Sequence, residues 1–163
     1  MITVKNNILT FNYTSYKCSI GKNGITKNKR EGDGCTPAGK YKIEKIFYRK
    51  DRVTLHNLDF ELEVIKNNYG WCDDPHKIEY NKLIKFPFDG NAELMFRSDN
   101  IYDIVCEINF NKNPIVKNKG SAIFIHIAKP NYAGTEGCIA LKKMDLINLL
   151  TVINNKTEFY ISS

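Results

Sequence analysis

Apolar and polar positions alternate with a two-residue period through most of the chain, the pattern of half-buried strands. Ile2 to Val4 and Ile8 to Phe11 read as short strands around Asn6-Asn7, a tight hairpin turn. Tyr16 to Ile20 follows, and the period resumes at Tyr41, Ile43, Lys45 and Phe47. Val53 to Leu55 and Leu62 to Ile65 are shorter candidates. Tyr102 to Ile108 and Ala122 to Ile127 are the strongest, and the second is apolar on both faces, as a central strand is. One stretch changes period: Lys143 to Ile153 carries Met144, Ile147 and Leu150, with Leu146, Leu149 and Ile153, at helical spacing. Glu158 to Ile161 closes with a strand. Two segments break the alternation. Residues 21–39, rich in Gly, Lys, Asn and Asp, form a long loop. Residues 67–91 hold Trp71, Asp73, Asp74, Pro75 and Pro87, a content that suits a lining or lid better than a linker. There is no internal repeat. The pattern predicts one domain over residues 1–163, mostly β and mostly antiparallel, with one helix packed on it.

Composition narrows the function classes. The 163 residues are 42% hydrophobic and 26% charged, enough for a real core. The net charge is +6, but its lysines (Lys5, Lys17, Lys40, Lys66, Lys112, Lys156) are scattered among Asn rather than gathered on a motif. Nucleic acid is therefore not expected as a partner. Five cysteines, an odd number without disulfide-scaffold spacing, leave at least one thiol free. Cys18 and Cys106 lie in strand-like runs and are expected as buried thiols, which suits a reducing compartment. No run has the length of a signal peptide or of a membrane span. The expectation is a cytoplasmic monomer with no membrane partner, periplasmic if a leader has been removed.

Candidate chemistry concentrates late in the chain. Ile123-Phe124-Ile125-His126 ends a strand on an imidazole, and Thr135-Glu136-Gly137-Cys138 follows. A cysteine nucleophile needs a base to take its proton, and His126 is available. Gly137 permits close backbone approach, and the Gly137 and Cys138 N–H groups are candidate oxyanion donors. Each residue alone fits a buried structural role as well. Asp73 and Asp74 beside Trp71 read either as a wall for a polar or cationic substrate group or as a capped turn before Pro75. Cys72 and His76 suggest zinc, but no second pair stands at suitable spacing, so no metal or other cofactor is expected. Arg97, one of four arginines, suits bidentate binding of a carboxylate or a surface ion pair. Asp33-Gly34 anchors the first loop or merely turns it.

Three ordered blocks resemble the L,D-transpeptidase (YkuD-domain) family. Lys29-Arg30-Glu31-Gly32-Asp33-Gly34-Cys35-Thr36-Pro37-Ala38-Gly39-Lys40-Tyr41 is similar to that family's Thr-Pro-x-Gly-x-Phe block. Gly70-Trp71-Cys72-Asp73-Asp74-Pro75 is similar to a signature of a small single-domain branch. Gly120-Ser121-Ala122-Ile123-Phe124-Ile125-His126 with Thr135-Glu136-Gly137-Cys138 is similar to the histidine and nucleophile blocks. The resemblance implies a β-sandwich or barrel with one packed C-terminal helix. It implies Cys138 as nucleophile, His126 as base and Gly137 beside them, acting on peptidoglycan stem peptides or muropeptides. Trp71, Asp73, Arg97, Tyr132 and Glu136 are the expected substrate-binding residues. Two positions depart from the family pattern: Glu136 stands where His is usual, and Ala140 where Arg is usual two residues after the cysteine. Arg97 is the candidate replacement for that guanidinium.

These readings converge on two-step acyl transfer through a thioester, with release of terminal D-alanine. Water as acceptor makes an L,D-carboxypeptidase, expected in cytosolic peptidoglycan recycling; an amine makes a cross-linking transpeptidase. A non-catalytic domain that binds wall fragments is the reading from a different class.

Overall fold

The alternation read along the chain becomes fourteen strands and one helix in the computed structural model, which describes residues 1–163. In chain order the strands are Ile2–Lys5 (β1), Ile8–Phe11 (β2), Thr14–Ser19 (β3), Ile25–Thr26 (β4), Thr36–Pro37 (β5), Gly39–Tyr48 (β6), Leu62–Val64 (β7), Tyr69–Cys72 (β8), Leu83–Lys85 (β9), Ala92–Leu94 (β10), Ile104–Ile108 (β11), Phe124–Ile127 (β12), Ile139–Leu141 (β13) and Glu158–Ile161 (β14). The helix α1 spans Lys143–Val152, between β13 and β14. Asn6 and Asn7 both take positive φ, 50° and 60°, as a two-residue hairpin of type I′ requires.

The main sheet runs β11-β12-β13-β3-β2-β1-β14-β6-β7, and β11 also pairs with β6. That pairing closes eight strands into a barrel-like ring, with β7 attached outside it. The ten-residue β6 makes closure possible: its first half pairs with β14 and its second half with β11. Most pairings are antiparallel, but β1–β14, β6–β7 and β12–β13 are parallel. The fold is mostly β with one helix, as the periodicity predicts.

Alternation on the central strands divides the core. Ile104, Cys106 and Ile108 of β11 and Ile125 and Ile127 of β12 join Ile139 and Leu141 in the larger apolar cluster, which also takes Leu146, Leu149 and Leu150 of α1. Val105, Phe124 and Cys138 belong to a second cluster with Phe47, Trp71, Met95 and Tyr102. The second cluster floors the site described below. Met144, placed on the helix stripe by its spacing, is instead 56% exposed; α1 packs through Leu146, Leu149 and Leu150.

Three sequence expectations shift. Val53 to Leu55 is not a strand. Residues 67–91 are more ordered than their turn-rich composition suggests: β8 and β9 lie within them and pair with β10 in a separate three-stranded sheet. The 21–39 loop is pinned by a short parallel β4–β5 pairing. No helix is long and apolar enough to cross a membrane.

Candidate active site

The parallel β12–β13 register sets Ile125 against Ile139 and His126 against Ala140. Cys138, one residue before β13, therefore lies level with Phe124. Side chains alternate along each strand, so Phe124, His126, Cys138 and Ala140 share one face of the sheet. The eleven residues between His126 and Cys138 thus return the chain to a position diagonal to the imidazole.

The turn carrying Cys138 is held from several sides. Thr135 Oγ1 donates to the Cys138 carbonyl at 2.6 Å and accepts the Gly137 N–H at 3.1 Å. Thr36 Oγ1, fully buried, donates to the Gly137 carbonyl at 2.8 Å and accepts the Gly21 N–H at 2.8 Å. Gly137 has φ +143°, and a Cβ there would sit 2.7 Å from the Cys35 carbonyl oxygen. Glycine is required at this position for both reasons. The Gly137 N–H is thus spent on Thr135, which removes it from the expected oxyanion donors. The Cys138 N–H makes no bond within the fold and remains the backbone donor there.

Both candidate catalytic groups are neutral at rest. The Cys138 thiol donates to the Ala122 carbonyl at 3.1 Å, and its sulfur accepts the Phe124 N–H at 3.3 Å. Burial, reinforced by the nearby Glu93 charge, pushes the thiol up to about 12; the Phe124 N–H and Lys29 oppose this. Burial pulls His126 down to about 4. Its Nδ1 lies 2.9 Å from the Ile127 carbonyl. A carbonyl only accepts, so Nδ1 carries the proton and Nε2 is the free base. Tyr102 packs against the ring, with centroids 5.2 Å apart.

His126 and Cys138 open into one cavity of about 440 Å³. Its walls carry charge of both signs. Lys29, Arg97 and Lys129 supply the cations, and Glu31, Asp73, Glu93 and Glu136 the acids. The cations are largely engaged: Lys29 Nζ binds Asp33 at 2.5 Å and the Arg30 carbonyl at 2.8 Å, and Arg97 holds Asp99 through two bonds of 2.8 and 2.7 Å. Glu31, Asp73 and Glu93 have no ion-pair partner. Glu31 instead accepts from Tyr80 and Ser121 hydroxyls at 2.8 and 2.5 Å, and Glu93 from Tyr102. Asp73 Oδ1 is buried with no donor at all. Burial and the neighbouring Asp73 charge raise Glu93 to about 7; burial and Glu31 raise Asp73 as well.

Comparison with known proteins decides the family. The model of the L,D-transpeptidase catalytic domain (YkuD) matches residues 1–161. The chain belongs to the L,D-transpeptidase catalytic-domain family. No curated protein matches it.

The family's expected residues can now be placed. Cys138, His126, Asp73, Arg97 and Glu136 all line the cavity. Ala140, at the family's usual arginine position, lines it too, and the Arg97 fork is closed on Asp99 rather than free to replace that arginine. Glu136 pairs with Lys22 at 2.7 Å on the exposed rim. Two expected substrate-binding residues lie elsewhere. Trp71 is 2% exposed, packs edge-on against Phe124 and Phe47, and donates Nε1–H to Asn81 at 3.0 Å. Its β8 strand is covered on both sides, which makes it part of the floor. Tyr132 lies outside the lining, its ring under Lys17 Nζ at 4.6 Å. Asp74 takes the capped-turn role, accepting the His76 and Asn91 N–H groups. Glu31, Glu93, Lys29 and Asn81 were not singled out by sequence. Glu31 and Lys29 stand in the block quoted for its similarity to the Thr-Pro-x-Gly-x-Phe block, whereas nothing around Glu93 marks it.

Proposed function

We propose that the protein is a cysteine acyl-transfer enzyme acting on peptidoglycan tetrapeptide stems, with water as the acyl acceptor. The observation that carries this reading is the meeting of His126 and Cys138 on one sheet face at the cavity, in a chain that belongs to the family over residues 1–161. In the mechanism, His126 Nε2 takes the Cys138 proton as sulfur attacks the stem carbonyl. The Cys138 N–H stabilises the tetrahedral oxyanion. D-Alanine leaves with the proton held by His126, and a thioester remains. Water, deprotonated by the same nitrogen, then releases the tripeptide, which makes the overall reaction an L,D-carboxypeptidase reaction of muropeptide trimming.

The unpaired acids Glu31, Asp73 and Glu93 support recognition of an ammonium-bearing stem, since a bound cation would supply their missing counter-charge. The same wall favours one second reading, transpeptidation, because it can also gather an amine acceptor. Mass spectrometry of products from a diaminopimelate-containing tetrapeptide tests both. Tripeptide and D-alanine alone support trimming. A cross-linked dimer makes the enzyme a transpeptidase, and no turnover removes the tetrapeptide as substrate.

A further inference from the structure

The Gly70-Trp71-Cys72-Asp73-Asp74-Pro75 block leads, through its fold, to a residue outside it. Asn81 N–H donates to the Cys72 carbonyl at 2.9 Å, so Asn81 is tied back to the end of β8. The residue is 3% exposed and has φ 56°, a conformation that Asn adopts more readily than most residues. Every hydrogen-bonding position of its amide is engaged. Oδ1 accepts Trp71 Nε1–H at 3.0 Å and the Ala122 N–H at 3.1 Å. Nδ2 donates to the Asn111 carbonyl at 2.9 Å and the Phe110 carbonyl at 3.4 Å.

Ala122 is the link to the thiol. It has φ 53°, the left-handed region that an alanine occupies only under constraint. Its carbonyl accepts the Cys138 thiol at 3.1 Å. One side chain thus grips the N–H of a strained residue whose C=O sets the direction of the S–H. We propose that Asn81 is a positioning residue: by holding Ala122 in the left-handed conformation it fixes the acceptor on which the resting thiol is parked. This rests on the reading of Cys138 as nucleophile. It gives Trp71 a role without substrate contact, as the second donor that orients the Asn81 amide.

The consequence is a sign. A carbonyl that accepts the thiol proton stabilises the protonated form and holds back the thiolate. Without the Asn81 grip, Ala122 relaxes to negative φ and the parking bond is lost. Glu93, Lys29 and His126, the other charged or titratable groups that bear on the thiol, are untouched.

Alkylation of the full chain by iodoacetamide at pH 8, read by peptide mass mapping, tests this without any stem peptide. In Asn81→Ala, Cys138 should react about 10-fold faster than in the parent. In Asn81→Asp the Ala122 N–H keeps its acceptor, and the buried carboxyl, facing the Asn111 and Phe110 carbonyls, stays protonated to donate to them, so Cys138 should react within 2-fold of the parent. Buried Cys18 and Cys106 report on the fold and should stay protected in both. Meanwhile kcat for D-alanine release from the tetrapeptide should fall about 10-fold or more in Asn81→Ala, with KM within 2-fold. The proposal is overturned if both variants shift Cys138 in the same direction, if neither shifts it, or if Cys18 and Cys106 react in step with Cys138 in both. If Asn81→Ala loses its fold, Asn81→Gly, which suits φ 56° and also lacks the grip, reads the same faster Cys138, and an unchanged rate in it overturns the proposal. Shifted alkylation without turnover by the parent would uphold the positioning role while removing the proposed substrate.

Discussion

His126 and Cys138 illustrate how burial sets both halves of the proposed proton-transfer pair. Low dielectric disfavours the charged form of each, so the imidazole stays neutral and the thiol protonated at pH 7. The resting enzyme should then hold no thiolate–imidazolium pair. Iodoacetamide labelling of Cys138 should climb about 10-fold per pH unit from 7 to 9 without levelling; a plateau with a midpoint near 7 would contradict this. His126 and Glu93 leave opposite marks on stability. His126 is lowered to about 4 from 6.5, so the unfolded chain binds more protons between those values. Its contribution is complete above pH 6.5 and lost as pH falls toward 4, a difference of about 3 kcal/mol. Glu93 is raised to about 7 from 4.5, so it destabilises the fold as pH rises through that window. Glu93→Gln should therefore stabilise at pH 8, by at most about 3 kcal/mol, and little at pH 4. Urea melts at both pH values check this, and equal effects at the two would refute it.

At the scale of elements, the turn before β13 depends on the loop before β6. Thr36 joins Gly21 and Gly137 through one hydroxyl. Thr36→Val keeps the shape but orphans a buried N–H and a buried C=O, and should cost about 2 kcal/mol by thermal or urea unfolding. It should also slow turnover, because the Cys138 turn loses a restraint; unchanged stability and rate would show that Thr36 is a spectator. This scale shows what the sequence made legible. Strands with strict alternation, such as Glu158–Ile161 and Ile8–Phe11, have the ends their periodicity predicts. That His126 and Cys138 share one cavity is foreshadowed in the sequence because strand, glycine and cysteine are contiguous there. Trp71 misled because an aromatic beside two aspartates suits a binding wall as well as a floor; only the pairing of β8 with β9 and β10 distinguishes them. Glu93 could not have been found, since its neighbours in the cavity come from elements distant in sequence. The parallel β12–β13 register was hidden because alternation of apolar positions carries no strand direction.

Over the whole molecule, closure of eight strands places the active-site face and the helix face on opposite sides of β11, β12 and β13. The larger core stabilises the frame, while the second cluster, with Trp71, Phe124 and Tyr102, supports the cavity. The net charge of +6 conceals a local reversal, because three acids without ion-pair partners stand in the cavity beside Cys138. A substrate bearing an ammonium group should therefore be preferred. Acetylating that amine on the tetrapeptide should raise KM about 10-fold or more, and Asp73→Asn should erase the preference. Equal KM for both peptides would show that the acids serve another purpose.

The central claim is that Cys138 becomes acylated. Intact-protein mass spectrometry during turnover of the tetrapeptide tests it most directly. The account predicts a transient mass gain equal to the tripeptide acyl group, mapped to Cys138, strongly reduced in His126→Gln and absent in Cys138→Ala. D-Alanine release that persists in Cys138→Ala, or an adduct on another residue, would contradict it.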